Sequence, residues 1–164
     1  FLDEDNIPVK EGELGELTVT TLGVEGMPLL RFKTGDIMRY YSETCECGRN
    51  TIRLGPVAGR KKQMIKFKGT TLYPPALYDI LDDLDEIENY VVEVFTNDIG
   101  TDEIQIYTGV KIRHPKQEKI IKDRFRAKLR VAPKLIFKSP KQVNEMLFPE
   151  GSRKALKFID NRKK

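Results

Sequence analysis

Gly59-Arg60-Lys61-Lys62-Gln63-Met64-Ile65-Lys66-Phe67-Lys68-Gly69 divides the chain into two parts of different character. Five cations stand in the nine positions between its terminal glycines. Gln63, Ile65 and Phe67 alternate with Met64, Lys66 and Lys68, close to the period of two of a strand. A short strand leaving a flexible joint is predicted. Taken alone, the stretch reads equally well as a solvated basic β-hairpin arm. The flanking sequence decides. Residues 1–59 hold 6 Lys and Arg against 10 Asp and Glu, whereas residues 60–164 hold 23 against 15. Such a charge step at a Gly-Arg junction predicts a domain boundary. A basic second part suits an anionic ligand: a nucleotide, a phosphate-bearing cofactor or nucleic acid.

A chain of 164 residues accommodates one ordinary domain or two small ones. It begins at Phe1, and a piece of a longer protein is expected. Two cysteines and one histidine cannot make a disulfide framework. No run is apolar enough to span a membrane and no signal peptide is visible. A cytoplasmic protein with no membrane partner is the expectation.

Before the joint, Leu17–Thr21, Leu29–Lys33, Ile37–Tyr41 and Thr51–Leu54 read as short strands separated by glycine turns. They predict a small β-barrel or distorted sheet. After it, Pro75 opens a helix whose buried face is Leu77, Ile80, Leu81 and Leu84. Tyr90–Phe95 and Glu103–Val110 form a hairpin around the turn 97–101. Pro115 opens a second helix with Ile120, Ile121, Phe125 and Leu129 inward, Leu135–Phe137 is a further strand, and residues 141–147 a short helix. The tail from Pro149 is predicted to be exposed. The fold class expected is α+β, with helices packed on a small antiparallel sheet.

Candidate chemistry is sparse. In Thr34-Gly35-Asp36 a carboxylate at a strand end can accept from a sugar diol, or cap an Asx turn. Arg60 has a forked donor set suited to a phosphate. Lys154, in Pro149-Glu150-Gly151-Ser152-Arg153-Lys154-Ala155, can reach from a loop into a distant site, although such a lysine is ordinarily just solvated. Cys45-Glu46-Cys47-Gly48-Arg49 offers two of the four ligands a zinc ion wants. A tight loop with reduced thiols is preferred and no metal site is assigned. No glycine-rich phosphate loop of the strand-to-helix type is present, and no histidine-based triad.

Together these motifs resemble the adenylate-forming superfamily of acyl- and aryl-CoA ligases, and within it the phenylacetate-CoA ligase family. The carriers are Gly12-Glu13-Leu14-Gly15-Glu16-Leu17, Leu30-Arg31-Phe32-Lys33-Thr34-Gly35-Asp36, the Cys-x-Cys-Gly-Arg loop, Gly59-Arg60 through Lys68-Gly69, and Lys154-Ala155-Leu156-Lys157-Phe158-Ile159-Asp160. The resemblance implies an enzyme that activates a carboxylate with ATP and passes the acyl group from AMP to the thiol of coenzyme A. It implies that residues 1–59 are the β-rich end of the large AMP-binding domain, 60–62 a hinge centred on Lys62, and 63–164 a C-terminal lid that rotates between the two half-reactions. Asp36 then matches the carboxylate on the ATP ribose, Arg60 the arginine beside ribose and phosphate, Lys154 the lysine brought to the α-phosphate, and Gly69 the glycine along the pantetheine path. Mg²⁺ would help bind the triphosphate.

Two departures stand out. Lys61-Lys62 replaces the Asp-Asp of many relatives, and Arg153 precedes the lysine where glycine is usual. The phosphate loop and acyl pocket belong to a missing N-terminal domain of the same chain, so this piece is expected to be inactive alone. A small-molecule aryl acid is the expected substrate, and a homodimer is allowed for. One alternative keeps the adenylation but changes the acceptor, as in synthetases that attach AMP to a deazaflavin coenzyme. Another is a basic, non-catalytic α+β binding module, for RNA or as a scaffold. Tyr90, Phe95 and Tyr107 do not form the aromatic motif that an RNA-stacking sheet needs, so no nucleic acid is expected.

Overall fold

A computed structural model describes residues 1–162. The chain forms two compact units, Phe1–Met64 and Ile65–Lys164.

The first unit is built of β1 (Gly15–Val19), β2 (Phe32–Met38), β3 (Tyr40–Tyr41), β4 (Arg53–Leu54) and β5 (Gly59–Arg60), followed by a 3-10 turn at Lys61–Gln63. β2 lies between β1 and β5, antiparallel to both, and β3 pairs with β4. The sequence reading breaks the chain at Thr34-Gly35-Asp36, whereas β2 runs through it. The register explains why. Glu16 faces Ile37 and Thr18 faces Lys33, so β2 carries extra residues there, and Gly35 absorbs the bulge at φ +80. Leu2, Ile37 and Met38 are buried, while Leu22, Met27 and Leu30 are largely exposed.

The second unit opens with a hairpin of β6 (Ile65–Phe67) and β7 (Thr70–Leu72). Its two-residue loop, Lys68-Gly69, has φ +49 and +79, the positive pair that a type I′ turn demands. Then come α1 (Pro74–Asp82), β8 (Asn89–Thr96), β9 (Asp102–Gly109), α2 (Gln117–Leu129), β10 (Lys134–Lys138), α3 (Pro140–Leu147) and β11 (Phe158–Asn161). Pro74 and Pro75 sit in the first turn of α1, where N–H groups have no intrahelical acceptor and their loss costs little, and a reciprocal Ser139–Gln142 capping box starts α3. α2 ends on Arg130 in the left-handed region at φ 58.

The unit is α+β as expected, but its main sheet is mixed rather than antiparallel. The strand order is β10-β9-β8-β11, with β8–β9 antiparallel and both outer strands parallel to their neighbours. The tail from Pro149 is therefore not simply exposed, since β11 docks beside β8. Period-two alternation gives the sheet two apolar faces. Tyr90, Val92, Val94, Ile104 and Ile106 face a core completed by α1, α2 and the first hairpin. Val91 meets Val143 and Leu147 of α3 on the other side. Ile121 and Phe125 of α2 are buried, but Ile120 is half exposed, one helix step off the inward stripe. Among the described residues no helix is long and apolar enough to cross a membrane.

Candidate functional site

Within the first unit the bulge brings two predicted residues together. Asp36 faces Arg60 across the β2–β5 pair, and the Arg60 Nε lies 3.3 Å from Asp36 Oδ1. The arginine side chain is 72% exposed and the carboxylate 30%, so the pair opens to solvent and to ligand. Thr34 ties the backbone at Asp36: its hydroxyl donates to Leu17 O at 3.1 Å and accepts from Asp36 N–H at 3.1 Å. The arrangement presents one guanidinium and one carboxylate side by side, the chemistry needed for a phosphate next to a diol.

Beyond Arg60 the chain enters the 3-10 turn with extended residues on both sides, Arg60 at ψ 137 and Met64 at ψ 133. Lys62 is its middle residue. Lys61, for which the sequence suggested no partner, reaches back with Nζ 2.9 Å from Oε2 of the buried Glu16. Glu16 lies in Gly-Glu-Leu, a motif quoted for its resemblance and not for a charge partner.

Gly69 and Lys154 belong to the second unit, in separate loops. Gly69 is at the tip of the first hairpin, beside Lys68, whose Nζ sits 5.2 Å from the Phe67 ring centre. Lys154 is in the loop between α3 and β11. That loop turns at Gly151 (φ +83), and the Ser152 hydroxyl donates to Lys154 O at 2.7 Å. Lys154 is exposed, and among the described residues no hydrogen bond or ion pair engages its Nζ.

Lys157 is differently placed. Its Nζ lies 4.7 Å from the Tyr90 ring centre and 5.7 Å from that of Tyr78. It donates to the Tyr90 hydroxyl at 3.1 Å and stands 3.8 Å from Asp82. Burial pushes the Tyr78 phenol up to about 12. Tyr90 is raised by burial first and then by its hydrogen bond to Asp82. Tyr78 and Asp82 are one turn apart on α1, a spacing visible in the sequence, but nothing local signals that Tyr90 and Lys157 join them.

Cys45 and Cys47 are free thiols with their sulfurs 3.0 Å apart, in a turn closed by Gly48 N–H donating to Cys45 O. The neighbouring Cys47 thiol, aided by Arg53, holds the Cys45 thiol below its usual range. Among the described residues no group of three or more His, Cys, Asp or Glu is placed to hold a metal ion. Cavities of about 380 and 120 Å³ meet at Glu86 and His114 and contain none of the predicted site residues.

Comparison with known proteins adds a lineage to this geometry. No family model matches. A phenylacetate-coenzyme A ligase of Thermus thermophilus is 36% identical over 103 residues, covering 63% of this chain and 23% of that protein. One from Escherichia coli is 34% identical over 73 residues, covering 44% and 16%. The chain is a relative of the phenylacetate-CoA ligases. It corresponds to the C-terminal part of those ligases and spans no more than about a quarter of their length. Among solved structures, 2-hydroxyisobutyryl-CoA ligase in the postadenylation state, in complex with R3-HIB-AMP, matches with a TM-score of 0.75 at 21% identity, over 97% of this chain and 35% of that one. The amide bond synthetase McbA of Marinactinospora thermotolerans matches at 0.56 and 15%, over 84% and 29%. At these identities the structural matches establish the fold, that of the C-terminal region of adenylate-forming ligases.

Proposed function

We propose that this chain is the C-terminal portion of an ATP-dependent, AMP-forming aryl-acid CoA ligase of the phenylacetate type, working in the cytoplasm. The observation that carries the reading is its 36% identity to the Thermus phenylacetate-CoA ligase. The Asp36–Arg60 pair supports it. Residues 1–59 finish the large domain, residues 60–62 are the hinge, and residues 63–164 are the lid.

In this reading Asp36 accepts from the ribose hydroxyls while Arg60 faces the neighbouring phosphate. The substrate carboxylate attacks the α-phosphate, and pyrophosphate leaves. Negative charge grows on the α-phosphate oxygens, and the Lys154 ammonium, carried there by the lid, offsets it. A turn about Lys62 then withdraws Lys154 and brings Gly69 to the thiol path, where a residue without a side chain leaves room. The thiol of coenzyme A displaces AMP and the thioester forms. Mg²⁺ is assigned to the triphosphate, where it neutralises charge, rather than to side chains of this chain.

The test uses the full-length protein with phenylacetate, ATP and Mg²⁺. Pyrophosphate release dependent on the acid, followed by thioester formation on adding coenzyme A, is the expected result. Transfer of AMP to a deazaflavin with no acid-dependent pyrophosphate would replace the acceptor. No nucleotide turnover with any aryl acid would remove the reading.

A further inference from the structure

We propose that Lys157 is a positioning residue for adenylation, its ammonium fixing the loop that presents Lys154 to the α-phosphate. The proposal rests on the role given to Lys154 above.

The geometry is a relay. The Tyr90 hydroxyl has one proton and gives it to Asp82 Oδ1 at 2.8 Å. Its oxygen is then free to accept, and Lys157 Nζ donates to it at 3.1 Å. The same ammonium stands over the rings of Tyr90 and Tyr78, whose negative faces attract it. Tyr90 is only 4% exposed and belongs to β8, one of the two inner strands of the sheet, so the seat is built into the core. The ion pair with Asp82, 3.8 Å long between two well-exposed groups, adds little. The hydroxyl and the ring faces select the position.

The backbone on either side is tied as well. Leu156 N–H donates to Leu147 O at 2.7 Å, and Val92 N–H donates to Lys157 O at 2.9 Å. Lys154 is three residues upstream of this anchor, which limits its Cα to about 10 Å from it. At the other end of the loop stands Gly151, the most permissive residue type. The α3 end of the loop is held by the buried Leu147 but is followed by Gly151, so the anchor nearer to Lys154 without an intervening glycine is the Lys157 end. A lid that moves as a body delivers Lys154 to a defined point only if that end stays fixed, because each freed torsion dilutes the productive pose.

The experiment uses the full-length protein with Lys157→Met, Lys157→Arg, Tyr90→Phe and, as reference, Lys154→Ala. Each half-reaction is measured separately, the second from preformed acyl-adenylate, and hydrogen exchange is followed in the segment 148–158. Lys157→Met should slow adenylation roughly five- to tenfold. It should leave the thioester step within about twofold, speed exchange at Leu156, and leave the melting temperature close to wild type. Lys157→Arg keeps a cation that stacks and donates, and should recover most of the rate. Tyr90→Phe keeps the ring and loses the acceptor, and should fall between them.

Wild-type adenylation in Lys157→Met, with Lys154→Ala still crippled, would overturn the proposal and leave the Lys154 reading intact. Equal slowing of both half-reactions with a lowered melting temperature would make Lys157 a general support of the fold and also overturn it. Unimpaired adenylation in Lys154→Ala would remove the role of Lys154 and the catalytic part of this proposal with it. The exchange data would then still decide whether Lys157 fixes the loop.

Discussion

Replacing Lys61 by methionine would remove the cation paired with Glu16 at the threshold of the joint. The Glu16 side chain is 6% exposed and its carboxylate lies 2.9 Å from Lys61 Nζ. A buried carboxylate stripped of its partner costs about 3–5 kcal/mol, whereas a fully exposed pair is worth about 0–1 kcal/mol. This pair lies between those limits, because the lysine end is 38% exposed and water can reach part of the vacated site. A loss of about 2 kcal/mol is expected, near thirtyfold in the opening equilibrium. The assay is amide exchange at Leu2 and Glu16, which bond to each other through Leu2 N–H to Glu16 O and Glu16 N–H to Leu2 O. Val92, in the second unit, serves as an internal reference. Protection at Leu2 and Glu16 should fall about thirtyfold while Val92 holds. The double variant Glu16→Gln/Lys61→Met, which buries no charge, should regain more than half of the loss. A change of less than about twofold, or a double variant worse than the sum of its parts, would refute the reasoning.

Lys154→Ala should cut adenylation about 10²- to 10³-fold and leave the thioester step from preformed acyl-adenylate nearly unchanged. Similar slowing of both steps would assign the role elsewhere, with Arg153 the next residue to replace. Lys62→Pro, which freezes φ in the middle of the 3-10 turn and biases Lys61 away from helical angles, should impair one half-reaction more than the other. Equal loss in both would argue against a hinge there. Cys45→Ser/Cys47→Ser should leave pyrophosphate release largely intact, and a collapse of activity together with metal in the native protein would be the contrary result. Because the Cys45 thiol ionises below its usual range, its alkylation rate should rise with pH at lower pH than that of an ordinary thiol. Coincident profiles for Cys45 and an unstructured cysteine peptide would contradict that.

Much of the second unit is legible in the sequence because its signals are local. The Leu77, Ile80, Leu81 stripe marks α1 and Asn97 to Thr101 marks the hairpin turn, whereas the Ser139 cap that starts α3 goes unread. What the sequence hides is pairing across distance. Nothing in Lys134–Lys138 or Phe158–Asn161 says that each will lie parallel to a strand of the hairpin, since strand direction is settled by the crossover and not by the strand. The three residues of β7 are too few to show a period. Gly35 reads as a strand breaker and proves to be a bulge inside one. The candidate site divides the same way. Asp36 and Arg60 carry motif signals, whereas the seat of Lys157 is assembled from α1, β8 and the last loop, and only folding brings those together.

The place of β11 bears on the order in which the molecule is made. Phe158 pairs opposite Val92, so a strand that leaves the ribosome late must find one that left it dozens of residues earlier. The β8–β9 hairpin can close at once on contacts near in sequence, but β11 cannot, and the entropy of closing so long a loop falls on that step. Until it is complete, one edge of β8 stands open as a template for a stray strand. A nascent chain that has not yet docked β11 is therefore both sticky and without a settled Lys154 loop. The Lys154 loop is settled and the open edge of β8 is covered in the same late event.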